Sequence, residues 1–451
     1  MMKRILIRMK TSIWLYPVIY SLIALVLAIL VLLIDSYYVD KISTIVHRLF
    51  FTSAELAQPV LEIVAGSFIT ITTFTFSTTM VVLTMYSSQF TPRVVEDFLN
   101  NQTTMKSFGI FLSGFIYAIT SLLFLSTNAK EDNVIAASVA VIYLIVGLIY
   151  FLGFVQSVAT HIQASGLILR LYSEALGKIK HYVDFVKDQQ VIPSDEFVTM
   201  IKDKKAEYLT SSSDGYIQEI DYRRLMRLAQ EFKIVICFRK VVGQFISKET
   251  SIMTVYTEIN QTLSEEERLY IDECVLVGNK KTEEQDFAFT IQKIVEIALK
   301  ALSSSINDPN TAIHCLKNIG LLLRDLSDIK DGFVLMKNED AEGFIVYESY
   351  DFYALLNDAY NQIVFYGQEN PSVIAAVFNS MKFIKVKTHI KTANLIDDYA
   401  KQLFEKLSNQ GYARLEYNMV YKEYTNLLNI KVKEDKPDNL NKPENLSDKK
   451  S

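Results

Sequence analysis

The chain has 451 residues, half of them hydrophobic, and a formal net charge of −5 at neutral pH. Seventeen charged residues fall in the first 160 positions and 80 in the other 291, which excludes both a single soluble globule and a pure bundle of membrane helices. This negative net charge argues against a nucleic-acid-binding protein, which needs a basic surface. The three cysteines are far apart and lack the paired spacing of a metal site or a disulfide framework, so we predict no metal and no cofactor.

The first third of the chain contains four stretches without Asp, Glu, Lys or Arg that are long enough to cross hydrocarbon. A membrane-spanning helix needs about 20 apolar residues. We therefore predict that residues 1–163 form a four-helix transmembrane domain embedded in the lipid bilayer. The predicted spans lie near 13–34, 60–86, 107–127 and 134–160.

The distribution of Lys and Arg predicts the orientation of these spans. Nine basic residues flank the spans on the side of the N-terminus, and three lie on the opposite side. Basic residues concentrate on the cytoplasmic side of membrane proteins. We expect a multi-pass protein of the cell (inner) membrane with both termini in the cytoplasm.

The second predicted span is unusually rich in hydroxyl side chains. At 100° per residue, Gly66 and four hydroxyl residues fall within about 60° of one another, and three further threonines form a stripe roughly opposite. These hydroxyls either bond their own helix carbonyls and let neighbouring helices pack closely, or they line a water or ion path. The pore-lining candidates are Thr70, Thr73, Ser77 and Thr84, and the opposite stripe is Thr72, Thr75 and Thr79.

Gln89 and Arg93 follow this span at the predicted cytoplasmic surface. One interpretation is a helix start at Thr91-Pro92 with an interfacial arginine. The other is a positive contact for anions at the inner mouth of a path. Since no charged side chain lies deep in a span, a driven transporter is disfavoured.

The charged two-thirds of the chain predicts a large cytosolic domain of mixed α/β, mainly helical fold. The fold class is therefore an α-helical integral membrane protein with such a domain. We assign residues 164–205 to a helical connector, 206–258 to a small β-containing module, 259–430 to a mainly helical domain and 431–451 to a disordered tail.

Local signals predict several elements of this domain. Tyr216–Ile220 alternates like a strand, and Asp221 is placed to cap the helix that follows. Ser264 and Glu267 form a capping box. Helices are predicted at 283–303, 309–326, 351–367, 371–390, 391–409 and 412–430, with a β pair near 332–348.

Four segments together carry a resemblance to a known family. They are Thr78–Arg93 (TTMVVLTMYSSQFTPR), Asp214–Asp221 (DGYIQEID), Thr282–Asp286 (TEEQD) and Ala301–Ala312 (ALSSSINDPNTA). The sequence resembles a widespread bacterial family of predicted membrane proteins classed as a domain of unknown function. The resemblance implies an integral membrane protein with a cytosolic domain and implies no known reaction.

Two of these segments supply the cytosolic pocket candidates, Gln285, Asp286, Asn307 and Asp308. Asp308 before Pro309 is typical of a helix N-cap, and Gln285 and Asp286 are typical of polar residues in a first helical turn. The alternative is a pocket shared by Gln285, Asp286 and Asn307.

The sequence lacks the common catalytic motifs, such as G-x-x-x-x-G-K and H-E-x-x-H, so we do not predict an enzyme. Two hypotheses remain. The first is an oligomeric channel-like or pore-forming protein, a homo-oligomer that passes a small ion and is regulated by its cytosolic domain. The second is a membrane-anchored sensor or scaffold whose cytosolic domain binds a partner or small ligand.

Overall fold

The computed structural model describes residues 15–37, 50–89, 91, 93, 102–125, 134–161, 163–283, 285–329, 332–337, 341–407 and 410–432. The chain divides into two compact units, a membrane unit of residues 1–167 and an α/β unit of residues 168–451. The predicted disordered tail lies outside the described residues from residue 433 onward.

Within its described residues, the membrane unit contains four helices that are long and apolar enough to cross a membrane. The second begins six residues before the predicted start near 60, and Pro59 lies inside it. The helices are α1 (Leu15–Tyr37), α2 (Ala54–Gln89), α3 (Gln102–Phe124) and α4 (Ala136–His161).

The interior of the membrane unit is built around Phe68 of α2. A Cβ added at Gly114 of α3 or Gly147 of α4 would overlap the Phe68 ring, so the two glycines form the notch that holds it. The ring of Tyr143 lies edge-on to Phe68 with the centroids 5.9 Å apart. Small residues let membrane helices approach closely, and here they fix one large side chain in place.

Polar contacts close one end of this bundle. The Asp35 carboxylate of α1 accepts hydrogen bonds from the backbone N–H groups of Ile135 (2.9 Å) and Ala136 (3.2 Å), where α4 begins. The Tyr117 hydroxyl donates to the carbonyl of Ala136 at 3.1 Å. Asp35 therefore caps a neighbouring helix and ties α1 to α4.

The α/β unit begins inside a helix that follows the fourth span in sequence, and its first half, up to residue 278, contains both helices and strands. These elements are α5 (Ala164–Lys187), β1 (Gln190–Ile192), α6 (Ser194–Ile201), β2 (Lys205–Thr210), β3 (Gly215–Ile220), α7 (Tyr222–Phe232), β4 (Val235–Phe238), β5 (Phe245–Ile246), β6 (Ser251–Thr257), α8 (Glu265–Asp272) and β7 (Val275–Gly278).

The second half of the unit is mainly helical. Its elements are α9 (Phe287–Ala301), α10 (Pro309–Leu326), β8 (Phe333–Met336), β9 (Phe344–Glu348), α11 (Phe352–Gly367), α12 (Pro371–Lys385), α13 (Ile390–Leu407) and α14 (Arg414–Leu428).

The strands form two sheets. The six-stranded sheet has the order β1-β8-β9-β4-β6-β2, and the three-stranded sheet has the order β5-β3-β7. Neighbouring strands are antiparallel except for β4 and β9, which run parallel. The predicted module at 206–258 is therefore not self-contained, because its strand β4 pairs with β9, more than 100 residues later. A shared core explains this arrangement, since Ile236 of β4 and Ile345 of β9 are buried in the same hydrophobic cluster.

The helices after α9 are joined by close and buried contacts. A Cβ added at Gly320 of α10 would lie 2.6 Å from the Ser380 carbonyl oxygen of α12. The buried Lys385 ammonium of α12 donates to both carboxylate oxygens of Asp397 on α13 (2.7 and 2.8 Å). It also donates to the carbonyl of Leu427 at 3.1 Å, in the last turn of α14, so it caps the C-terminus of this helix as well.

Candidate functional sites

The membrane helices present two chemically different kinds of surface. Every exposed residue described on α1 is Val, Ile or Leu. Between residues 141 and 155, the exposed side chains of α4 are aliphatic apart from Tyr150. Surfaces of this composition suit contact with lipid tails.

The exposed face of α2 is different, because hydroxyl groups run along its middle. Large apolar side chains are exposed on α2 beside these hydroxyls, namely Ile63, Ile69, Phe74, Phe76, Met80 and Val81. The pore-lining candidates all lie here, and the opposite stripe instead turns inward, with Thr75 and Thr79 buried and Thr72 half-buried. We call the exposed set the α2 strip; it consists of Gly66, Thr70, Thr73, Ser77, Thr84 and Ser88.

The α2 strip hydroxyls bond to their own helix. Thr70, Thr73 and Thr84 donate to the carbonyl four residues earlier at 2.7, 2.8 and 2.9 Å. This hydrogen bonding is what the first interpretation predicts, although the three side chains are exposed and not packed against a neighbouring helix. It does not exclude the second, because a hydroxyl has one proton and two lone pairs, and donation leaves the acceptor side exposed.

Two shallow grooves follow the α2 strip. One, of about 630 Å³, lies between α2 and α4 and includes Gly66, Thr70 and Leu148. The other, of about 430 Å³, includes Thr84 and Ser88. Both open to the outside of the unit, whereas its described interior is filled by side chains such as Phe68.

The inner-mouth candidates lie at the end of α2. Gln89 is the last residue of the helix, and Arg93 follows four positions later with an exposed side chain. Their position at the helix end agrees with either interpretation of these residues.

In the α/β unit, two of the segments that carry the family resemblance are bonded to each other. Thr282 donates to the carbonyl of Gln218 at 3.2 Å, and Gln218 donates to the carbonyl of Lys280 at 2.7 Å. The Gln285 amide accepts from the Ile220 N–H (3.1 Å) and donates to its carbonyl (3.4 Å), as a neighbouring strand would. The loop before α9 is therefore bonded to β3 by its side chains.

Asp286 is a buried helix cap. Its carboxylate accepts from the Phe289 N–H of α9 at 2.8 Å. Gly243 lies against it with φ of 89°, and a Cβ there would overlap the carboxyl group. Burial raises the pKa of Asp286, an effect opposed by the backbone bond and by Lys281 and Lys178.

Asp308 caps α10 as predicted. Its carboxylate accepts from the Thr311 hydroxyl at 2.6 Å and the Thr311 N–H at 3.1 Å, and these bonds lower its pKa. Asn307 is exposed with φ of 49°. Asp286 lies at the start of the 15-residue α9, and Asn307 lies beyond its end. Since α9 is about 22 Å long, the structure does not bring Asn307 into a pocket with Gln285 and Asp286.

Sequence analysis missed a cluster of charges near Asp286. Lys293 of α9 is buried and forms a close ion pair with Glu283. Lys178 of α5 lies 3.6 Å from Glu283 and 2.5 Å from Glu174, and it donates to Thr290 at 3.1 Å. A lysine within the otherwise apolar buried face of α9 was the available signal, because a buried lysine requires a partner.

No group of three or more His, Cys, Asp or Glu side chains in the described part of the chain is placed to hold a metal ion.

The two units thus define a membrane protein with four candidate transmembrane helices and a mixed α/β region. Residues 10–382 match the family described as "Predicted membrane protein (DUF2254)", and the chain belongs to this family. It is 24% identical over 364 residues to the uncharacterized protein Mb1321c of Mycobacterium bovis, covering 76% of this chain and 67% of that one. The uncharacterized protein Rv1290c of Mycobacterium tuberculosis matches with the same identity and coverage. No solved structure matches the chain.

Proposed function

We propose that the protein is a passive, channel-like membrane protein assembled from several copies, in which the α2 strip of each copy faces a shared path for a small ion. The observation that carries the proposal is the difference between exposed faces in one unit. The described exposed residues of α1 and, apart from Tyr150, those of α4 between 141 and 155 are aliphatic, whereas the α2 strip presents hydroxyl groups and a glycine between exposed apolar side chains.

The chemistry of the α2 strip suits weak contact with a hydrated ion. Its hydroxyls keep their acceptor lone pairs on the exposed side, and oxygen acceptors replace part of an ion's hydration shell. Their donation to helix carbonyls keeps the backbone satisfied in a membrane. The spans predicted from the sequence have no charge deep within them, which favours a passive path over a driven transporter.

The same proposal assigns the remaining parts. The aliphatic faces of α1 and α4 contact the bilayer, and a homo-oligomer brings the α2 strips of its copies together. The basic flanks of the spans favour an orientation in the cell (inner) membrane with both termini in the cytoplasm. The α/β unit is then the cytosolic regulatory domain, and Arg93 lies at the inner mouth.

Flux through purified protein in liposomes tests the proposal. Thr73→Leu places a branched apolar side chain on the α2 strip and should abolish ion flux while the oligomer keeps its size. Val146→Leu is the matched control, because it adds bulk to the exposed aliphatic face of α4. Absence of flux for every small ion tested, or loss of assembly in Thr73→Leu, would remove the support for a pore.

The alternative is a membrane-anchored sensor or scaffold, and the bonded segments at β3 and the loop before α9 favour it. This function predicts no flux. It predicts instead that a ligand or partner of the α/β unit changes the amide protection of residues 279–290.

A further inference from the structure

The helix that follows the last span, α5, packs in the α/β unit by an apolar stripe. Leu171, Ala175 and Ile179 repeat at a spacing of four residues, and all three are buried. Hydrophobic contact is not directional. The stripe therefore buries one face of the helix, and the directional contacts of α5 come from the polar groups beside the stripe.

Directional bonds at the edge of this stripe fix the register. Lys178 lies between Ala175 and Ile179 in sequence and donates to Thr290 of α9 at 3.1 Å. Its ammonium is also 3.6 Å from the Glu283 carboxylate. The Lys178 side chain is only 16% exposed, so water screens these contacts weakly.

Aromatic rings on the same helix reinforce this position. The Tyr182 ring lies 5.2 Å from Phe287 of α9 and 5.3 Å from Tyr350. The Phe185 ring stacks on Tyr347 of β9 with the centroids 6.2 Å apart. The buried hydroxyl of Tyr347 has no hydrogen-bond partner within the described residues, so its contact with Phe185 is one of ring packing.

Glu283 connects α5 to the rest of the unit. It forms ion pairs with two lysines on two helices, Lys178 of α5 and the buried Lys293 of α9. It belongs to the loop before α9, whose neighbours Thr282 and Gln285 are bonded to β3. A displacement of β3 would therefore move the carboxylate that holds α5.

Lys178 has a second carboxylate within reach. Glu174, one turn earlier on α5, lies 2.5 Å from the Lys178 ammonium. When Glu283 withdraws, Lys178 keeps an ion pair within its own helix. The release of α5 from Glu283 then leaves the Lys178 charge paired with Glu174.

We propose that Glu283 is a latch that fixes the register of α5 in the α/β unit and couples this helix to β3. It is a positioning residue that acts through Lys178. Because α5 follows the last span directly in sequence, the latch could regulate a path in the membrane; that role rests on the proposed function. The latch itself concerns only contacts within the α/β unit.

Hydrogen exchange of the full-length protein in detergent tests the latch without measuring flux. Glu283→Gln should speed exchange of amides in residues 170–187 about tenfold or more, as expected for loss of hydrogen bonds to a charged group. Exchange in α10 and α12 should stay unchanged. Glu258→Gln is the matched control, because it removes a carboxylate from a 2.6 Å ion pair with Lys204 in the same unit.

A second pair of variants separates the latch from general support of the fold. Lys178→Met should speed exchange in the same segment, and Lys178→Arg should restore slow exchange. The proposal is overturned if Glu283→Gln leaves residues 170–187 protected, or if exchange rises equally throughout the unit. Flux measured on the same samples reports on the pore separately, so failure of either proposal can be recognised.

Discussion

The hydroxyls of α2 and the buried lysines of the α/β unit find their polar partners over different distances. In the membrane unit, Thr70 and Thr79 donate to carbonyls four residues earlier in the same helix. In the α/β unit, the buried Lys293 and Lys385 pair with carboxylates from other segments. Without water in the hydrocarbon region, a hydroxyl is best satisfied locally. Charges in the α/β unit instead join elements, so their loss should cost more stability than loss of a hydroxyl on α2.

The largest expected effect is at Lys385. Lys385→Met leaves the Asp397 carboxylate without its bidentate partner and frees the carbonyls that end α14. We expect a loss of about 3 kcal/mol in the free energy of unfolding, measured by urea denaturation of the full-length protein in detergent. Lys401→Met, which removes an exposed ion pair with Asp398, should cost about 0–1 kcal/mol. Equal losses would contradict the role of buried pairs in this comparison.

A smaller effect is expected where Phe68 occupies its glycine notch. Gly114→Ala places a methyl group into the Phe68 ring and should cost about 1–3 kcal/mol in thermal stability in detergent. Phe68→Leu in the same protein should recover part of the loss. Gly153→Ala is the control, because nothing lies within 4 Å of the added Cβ. Alanine favours helix, so the control should be neutral or stabilising.

The smallest effects distinguish the two aspartate caps. The pKa of Asp308 is lowered in the folded state. Its contribution to stability is therefore present above pH 3.8, the ordinary pKa, and is lost as the pH falls through the pKa of the folded state. The pKa of Asp286 is raised in the folded state. Its contribution to stability is therefore present below pH 3.8 and is lost as the pH rises through the pKa of the folded state.

Asparagine also caps helices but carries no charge. At pH 7, Asp286→Asn should therefore leave the free energy of unfolding unchanged or raise it, whereas Asp308→Asn should lower it slightly. Denaturation at pH 4 and pH 7 checks both signs. A loss of stability in Asp286→Asn at pH 7 would show that the ionised carboxylate is needed there.

Local signals in the sequence were sufficient to predict the structural features that depend only on residues close together in the chain. The caps at Asp221 and Asp308 and the capping box at Ser264 form as predicted. The separation of Asp286 from Asn307 could also be predicted, because the helix predicted at 283–303 has Asp286 near its start and Asn307 beyond its end.

Contacts between distant segments could not be predicted in this way. Lys178 and Glu283 are more than 100 residues apart, and neither stands out locally. The parallel pairing of β4 with β9 depends on a core that both strands share. The periodicity of α2 revealed two hydroxyl stripes, but only packing decides which is buried, and Thr75 is buried while Thr73 is exposed.

The accessibility of Thr73 to water is the most direct test of the proposed path. A cysteine at Thr73 or at Ile145, on the aliphatic face of α4, can be treated in liposomes with a membrane-impermeant thiol reagent. The native Cys237 and Cys274 are buried, which raises the pKa of each thiol to about 11 and keeps the background low. We expect Thr73→Cys to react and its flux to fall, while Ile145→Cys stays unmodified. Equal protection of both cysteines would contradict a water-filled path beside α2.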